Sequence, residues 1–190
     1  MKKTVLVLMT LVAGFLLTSC GNSQKKKAID MFNNFFDKEE AFLNNVNDAD
    51  AMLEYYNASD ARFTEFFAQL DEKFPINEND ELIGFSKQDS DDVLAVYNKR
   101  LEQFKPLRAT KASELVEPYL SDAENAFVNL LALYYDDEQP AEDVAIQAAQ
   151  EFEEKYNLAE RYEYLCDEEQ LDRFYEMFHF VYGDEEEDEQ

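Results

Sequence analysis

The sequence predicts an all-α protein, an antiparallel bundle or helical-hairpin array of five to six helices, and three observations support this prediction. Only Gly84 and Gly183 follow residue 21, whereas strand-rich domains need turn glycines. Residues that favour strands, Ile, Val and Thr, are sparse beside Leu, Phe, Ala, Tyr, Glu and Asp. Apolar side chains instead recur every three or four residues over most of 25–182, which is the period of an amphipathic helix.

The first twenty residues are typical of a secretory signal. An apolar or small-residue run from Val5 to Leu17 follows two lysines, and as a helix it would span only about 20 Å, too short to cross a membrane. The sequence Leu-Thr-Ser-Cys at 17–20 resembles the lipobox of bacterial lipoproteins. That resemblance implies a cleaved signal over 1–19, acylation of Cys20 and anchoring in a membrane of the bacterial cell envelope, since two or three acyl chains anchor a protein stably.

The residues after the cysteine bear on which membrane is used. Position 21 is Gly rather than the Asp that resembles an inner-membrane retention signal, and 21–27 lacks the acidic cluster that resembles a surface-export signal. These features favour the outer membrane, facing the periplasm. Lys25, Lys26 and Lys27 are expected either to contact anionic head groups or to form a solvated tether, and both alternatives stay open.

The first half of the mature chain predicts two helices and one long loop. The first helix covers about 25–46 and the second about 49–74, with Asp48 as its N-cap and Pro75 as its end. The stripe of the first helix contains one polar residue and consists of Ala28, Phe32, Phe35, Glu39, Phe42 and Val46, widened by Ile29, Phe36 and Leu43. Residues 75–90 have no helical period and form the predicted loop, which ends in Ser90 as the cap of the next helix.

Two prolines interrupt the next helical stretch. Apolar stripes run from Val93 to Leu107 and from Ala112 to Tyr134, and each contains a proline, Pro106 and Pro118. A capping box at 121–124 offers a fresh helix start, so one kinked helix and two shorter helices both stay open.

Two more helices complete the predicted fold. Pro140 fits the first turn of a helix carried by Val144, Ala148, Phe152 and Tyr156. The last helix begins at the cap Asp167, stops at Gly183, and turns inward the residues Leu171, Phe174, Phe178 and Val181.

The predicted organisation is a signal peptide over 1–19, a lipidated basic tether over 20–27, one helical domain over 28–183 and an acidic disordered tail over 184–190. The order of features from Leu115 to Tyr156 resembles the YiiG-like helical lipoproteins of unknown function, over about a quarter of the chain. The resemblance implies a helical fold and supplies no chemistry.

Charge narrows the range of partners. Without residues 1–19 the chain carries 15 basic and 43 acidic side chains, a formal charge of −28. Such a surface repels phosphate backbones, which argues against nucleic-acid binding and suits a cationic protein or peptide partner. The oligomeric state does not follow from the sequence.

Few residues offer catalytic or metal-binding chemistry, and the sequence predicts no catalytic residue, cofactor or metal site. Any Ser-His-Asp or Cys-His arrangement must use His179, the single histidine, and Cys166 is the one thiol left beside lipidated Cys20. Cys166 should therefore form no intramolecular disulfide. Glu176 and His179 match a Glu-x-x-His element of di-iron bundles, but a second copy needs another histidine.

Acidic clusters at 77–81 and 89–92 contain the oxygen ligands that Ca²⁺ prefers, yet they lack the glycine and glutamate positions of a calcium loop. The leading hypothesis is therefore a lipid-anchored, non-enzymatic helical module that binds or supports something in the cell envelope. Two alternatives stay open: a helical pocket for an apolar ligand, and an envelope enzyme that uses a pair of carboxylates.

Overall fold

The computed structural model describes residues 21–75, 82–135 and 140–183, and this part of the chain contains helices and no β-strand. The all-α prediction is therefore confirmed. The helices are α1 (Gly21–Asn45), α2 (Ala49–Asn57), α3 (Ser59–Lys73), α4 (Lys87–Tyr134), α5 (Glu142–Glu160) and α6 (Glu168–Tyr182), with a short 3-10 helix at Glu163–Leu165. None of the described helices is both long and apolar enough to span a membrane. The signal 1–19, the lipid site Cys20, the acidic cluster 77–81 and the tail 184–190 are predictions that lie outside the described residues.

The chain divides into two compact units. The described parts of Met1–Asn45 and Asn57–Leu107 form the first unit, and those of Val46–Tyr56 and Arg108–Gln190 form the second. The domain predicted over 28–183 contributes residues to both units, the first unit also includes the described residues 21–27, and helices α2 and α4 each contribute residues to both units. Whether they behave as one domain stays a prediction.

Aromatic rings from three helices fill the core of the first unit. Phe32 of α1 is 1% exposed and meets Phe66 of α3 edge to face, with ring centroids 5.3 Å apart. Phe36, which is fully buried, lies 5.7 Å from the Phe104 ring of α4. Burying each such ring contributes about 2–3 kcal/mol to folding. The predicted stripe of α1 is thus the core face, except that Phe42 is 36% exposed.

The prediction of one helix over 49–74 is wrong, because the chain turns at Ala58 between α2 and α3. No large apolar side chain lies between Tyr56 and Phe63, so nothing there anchors a continuous helix. Asn57 and Ser59 also compete for backbone hydrogen bonds. The break coincides with the boundary between the two units.

The predicted start of α4 is also wrong, because the helix begins at Lys87 and Ser90 lies inside its first turn. The Ser86 hydroxyl accepts the Asp89 backbone N–H at 3.1 Å and donates to the Asp89 carboxylate at 2.6 Å. This reciprocal cap satisfies an otherwise unpaired N–H.

The question left open at Pro106 and Pro118 is settled in favour of one helix. The α-helix is continuous from Lys87 to Tyr134 and includes both prolines. The expected fresh start at 121–124 is not used as a cap, since the Ser121 hydroxyl donates to Glu117, one turn earlier, at 2.9 Å.

The core of the second unit joins α4, α5 and α6. Its buried residues are Leu120, Ala123, Ala126, Phe152, Tyr156, Ala159, Phe174 and Met177. Three residues predicted to face inward are exposed: Tyr134 by 76%, Val144 by 45% and Phe178 by 38%. Tyr134 and Val144 lie at helix ends, outside the core rows. Met177 takes the core position next to Phe178.

The ends of α5 and α6 test the predicted caps. Helix α5 begins at Glu142 with Ala141 as its N-cap, so Pro140 precedes the helix rather than occupying its first turn. The predicted capping box of α6 is confirmed. The Asp167 carboxylate accepts the Gln170 backbone N–H at 2.9 Å, and the Gln170 side-chain oxygen accepts the Asp167 backbone N–H at 3.2 Å. Gly183 ends the helix at φ +71°, a conformation that glycine adopts without strain.

Candidate functional site

A cleft in the second unit is formed where α5 ends and α6 runs back past it. The 3-10 helix between them is anchored by two buried side chains, Tyr162 and Leu165, each 2% exposed. The Tyr162 hydroxyl donates to Asp50 at 2.9 Å, which joins this turn to α2 of the same unit. The turn therefore holds α5, the 3-10 helix and α6 in place around the cleft, which has a volume of about 430 Å³.

Aromatic rings form much of the lining of this cleft. Tyr156 of α5 and Phe174 of α6 are each 3% exposed and stack with ring centroids 4.7 Å apart and an interplanar angle of 20°. Tyr175 and Phe178 also line the cleft, and they are 43% and 38% exposed. The cleft thus has two buried, stacked rings at its base and two rings that are accessible to solvent.

Two carboxylates also line the cleft. Glu160, the last residue of α5, and Glu163, in the 3-10 helix, line the cleft, and Glu160 is exposed. The Tyr175 hydroxyl donates to Glu163 Oε1 at 2.8 Å, and this hydrogen bond raises the pKa of Tyr175. Among the described residues that line the cleft there is no Lys or Arg. We name this feature the aromatic–acidic cleft.

The basic side chains of the second unit are all engaged elsewhere. Its described residues include five basic side chains against nineteen acidic ones. The five make these contacts: Arg108 with the Tyr56 ring, Lys111 with Glu114, Lys155 with Asp122, Arg161 with Asp50, and Arg173 with Glu117 and Glu124. None of these contacts is to a carboxylate of the cleft.

A polar network fixes α6 against α4 within the same unit. Arg173 donates to Glu117 at 2.9 and 3.0 Å and to Glu124 at 2.6 and 2.7 Å. Gln170, 3% exposed, donates to Glu117 at 2.8 Å and to the Ser113 carbonyl at 3.0 Å. The hydrogen bonds from Arg173 are the main reason that the pKa of Glu117 falls to about 2. This network positions the helix that carries Tyr175 and Phe178.

The first unit has a cleft of its own, of about 310 Å³, next to a buried ion pair. Glu39 is 6% exposed, the one buried carboxylate among the described residues. Arg62 donates to both of its oxygens, from Nε at 3.1 Å and from Nη2 at 3.2 Å. Such a fork compensates the buried charge, so Glu39 is a poor candidate for a free general base.

The structure also locates the residues that the sequence singled out. Cys166 is half-buried, its thiol contacts the Tyr162 carbonyl oxygen at 3.7 Å, and burial raises its pKa to about 11. His179 and Glu176 are exposed on α6, and His179 lines the aromatic–acidic cleft. Within the described ranges no three His, Cys, Asp or Glu residues group as metal ligands.

Two further predictions concern the acidic cluster 89–92 and the predicted tether 20–27. In the acidic cluster 89–92, Asp89 and Asp92 form ion pairs with Lys25. The hydrogen bond from Ser86, helped by Lys25, lowers the pKa of the Asp89 carboxyl, and hydrogen bonds from Lys25 and Gln88 lower the pKa of the Asp92 carboxyl. Lys25 is therefore held by the protein, whereas Lys26 and Lys27 are exposed. The predicted tether 20–27 is helical from Gly21 onward.

Sequence reasoning did not find the aromatic–acidic cleft. The only local signal is an aromatic residue one turn before an acid, Tyr156 and Glu160, and this pattern is common in a chain with 43 acids. Comparison with models of protein families, with curated proteins and with solved structures found no match.

Proposed function

We propose that the protein is a lipid-anchored module of the bacterial cell envelope that binds a cationic protein or peptide through its second unit, without catalysis of its own. The distribution of charge carries this proposal. The described residues of the first unit hold ten basic and twelve acidic side chains, whereas those of the second hold five and nineteen. Among the described residues, the excess negative charge is therefore concentrated in the second unit, whereas basic and acidic side chains nearly balance in the first.

The anchor is proposed at Cys20, in the outer membrane and facing the periplasm. Its support is the lipobox at 17–20 and the short apolar run before it. The first unit, whose described residues nearly balance in charge, follows the anchor in sequence, and Lys26 and Lys27 are exposed at its first helix. Each lysine near an anionic surface contributes about 1 kcal/mol of attraction.

Replacement of the anchor cysteine tests this part. Cys20→Ser should abolish labelling with an alkyne-bearing fatty acid and leave uncleaved precursor, because acylation precedes cleavage in lipoproteins of this kind. The control is Cys166→Ser, which should be labelled and processed like the wild type. Normal cleavage of Cys20→Ser, with equal release of both proteins from membranes, would disprove the anchor.

Salt dependence tests the binding part. A surface of one sign speeds encounter with partners of the opposite sign, and the effect weakens as ionic strength rises. The mature lipidated protein in nonionic micelles should bind an arginine- and lysine-rich peptide at low salt, should lose affinity as salt is raised, and should not bind the glutamate-rich counterpart. Binding that is indifferent to salt, or to the sign of the peptide, would contradict the proposal.

Catalysis is the main rival, and it has its own test. A carboxylate enzyme needs a free buried carboxylate, and the buried Glu39 in the described chain is paired with Arg62. Turnover of an envelope substrate by the purified protein, lost on replacement of one Asp or Glu, would overturn the proposal.

A further inference from the structure

The aromatic–acidic cleft has the composition that recognises one particular side chain. Aromatic faces attract cations, and carboxylates accept hydrogen bonds from them. Both are present in the same cleft, which is lined by Tyr175, Phe178, Glu160 and Glu163. We infer that this cleft receives an arginine side chain of the cationic partner, an inference that rests on the proposed function.

The aromatic rings of the cleft suit a flat cation. The base of the cleft is a stacked pair, Tyr156 and Phe174, that is almost fully buried and contributes no formal charge. Tyr175 and Phe178 keep 43% and 38% of their surfaces exposed, so an incoming group can cover them without displacing core residues. A cation within about 6 Å of such exposed rings gains roughly 0.5–1 kcal/mol.

Two carboxylates of the cleft can form ion pairs with the arginine side chain. Glu160 and Glu163 are three residues apart, and the Tyr175 hydroxyl orders the Glu163 carboxylate through its 2.8 Å hydrogen bond. That bond uses one carboxylate oxygen and leaves the other available to accept a hydrogen bond from a ligand. No Lys or Arg of the described chain lines the cleft to compete for these carboxylates, and the one imidazole that lines it is that of His179.

Arginine fits this combination better than lysine does. Its guanidinium is planar, stacks on aromatic faces and presents a fork of N–H donors to carboxylates, whereas the lysine ammonium is a compact and strongly hydrated point charge. A cleft of about 430 Å³ also has room for the whole side chain. The charge of the second unit would bring a basic partner close, and the cleft would select the residue that docks.

A citrulline substitution isolates the charge of that residue. The probe is a Gly/Ser peptide whose only charged side chains are two arginines. It is compared with two versions of the same peptide, in which both arginines are replaced by lysine or by citrulline, a neutral analogue of arginine. Binding to the mature lipidated protein in micelles is measured by calorimetry at low salt. The arginine peptide should bind most tightly, the lysine peptide more weakly and the citrulline peptide not measurably.

Matched variants locate the site. The double variant Glu160→Gln with Glu163→Gln should weaken binding about 5- to 30-fold, because two partly exposed ion pairs are lost. The control pair Glu151→Gln with Glu154→Gln removes the same charge from other faces of α5, and should weaken binding less than about 3-fold.

The ring contribution is tested by Phe178→Ala, expected to weaken binding about 2- to 5-fold, against Tyr164→Ala. Tyr164 is 85% exposed and does not line the cleft, so its loss should leave affinity unchanged. Circular dichroism melts of every variant should match the wild type, since all the substituted side chains except Glu163 are exposed and Glu163 is half-buried.

The outcomes separate the two proposals. Equal weakening by both acidic pairs, or binding of the lysine peptide as tight as that of the arginine peptide, would overturn the cleft assignment while leaving the proposed function standing. Equal binding of the neutral citrulline peptide would overturn both, because binding would then not depend on the charge of the partner. Failure of every basic peptide to bind the wild-type protein at low salt would overturn the proposed function, and the cleft assignment with it.

Discussion

Replacing Glu117 by glutamine tests how much one carboxylate stabilises the second unit. The Glu117 oxygens accept bonds from Arg173 at 2.9 and 3.0 Å and from Gln170 at 2.8 Å. Chiefly because of Arg173, its pKa falls from 4.5 to about 2. One pKa unit corresponds to about 1.36 kcal/mol, so this fall in pKa corresponds to at most about 3.4 kcal/mol in the free energy of unfolding. The Glu117 side chain is 43% exposed, so solvent screening reduces the expected contribution to about 1–2 kcal/mol.

The pH dependence gives this prediction its sign. The folded-state pKa of Glu117 lies below the unfolded one, so its contribution is fully present above about pH 4.5 and is lost as the pH falls towards 2. Glu117→Gln should therefore lower the free energy of unfolding by about 1–2 kcal/mol at neutral pH. The difference from the wild type should shrink as the pH approaches the folded-state pKa.

Urea unfolding followed by far-UV circular dichroism measures both effects. The control is Glu114→Gln, which removes the same charge one turn earlier on α4, where the carboxylate is 63% exposed and lies 3.9 Å from Lys111. This control should change stability by less than about 0.5 kcal/mol. An equal loss in Glu117→Gln and the control at neutral pH, or a Glu117→Gln loss that persists at low pH, would refute the reasoning.

Three further substitutions or reactions test other parts of the structure. Arg62→Met should cost about 2–4 kcal/mol, because it removes both Arg62 hydrogen bonds from the buried Glu39 carboxylate; urea unfolding should also show recovery when Glu39→Gln is added. Cys166 should react with iodoacetamide at pH 8 roughly 100-fold more slowly in the native protein than in urea, since burial raises its pKa from 9.0 to about 11. Equal rates would contradict that burial. Gly84→Ala should lower the melting temperature through a cost of about 1–3 kcal/mol, because φ is +87° and the new Cβ would lie 2.6 Å from Gln24 Oε1; an unchanged melting temperature would count against this turn geometry.

Local patterns predicted the parts of the fold that depend on near neighbours in sequence. The stripe that includes Ala28, Phe32 and Phe36 is buried as its spacing requires. The capping box that starts at Asp167 forms within four residues. The positions of most helices follow in the same way, since helical hydrogen bonds join residues only four apart.

Choices between neighbouring residues could not be predicted in this way. Met177 and Phe178 are both apolar and adjacent, and only packing against α4 and α5 places the first in the core and the second at the edge of the cleft. Ser86 and Ser90 are both plausible caps, and the hydrogen bonds with Asp89 decide for Ser86. The break at Ala58 likewise separates residues that pack in different units.

The sequence alone therefore determined an all-α fold, the faces of most helices and the excess of negative charge. Tertiary structure alone decided which charges meet, because partners such as Glu39 and Arg62, or Glu117 and Arg173, are 23 and 56 residues apart. With 43 acids and few bases, composition cannot say which carboxylates stay unneutralised. Packing brings α5 and α6 together and leaves Glu160 and Glu163 beside exposed rings. The Lys and Arg side chains of the described second unit contact other residues, outside the cleft.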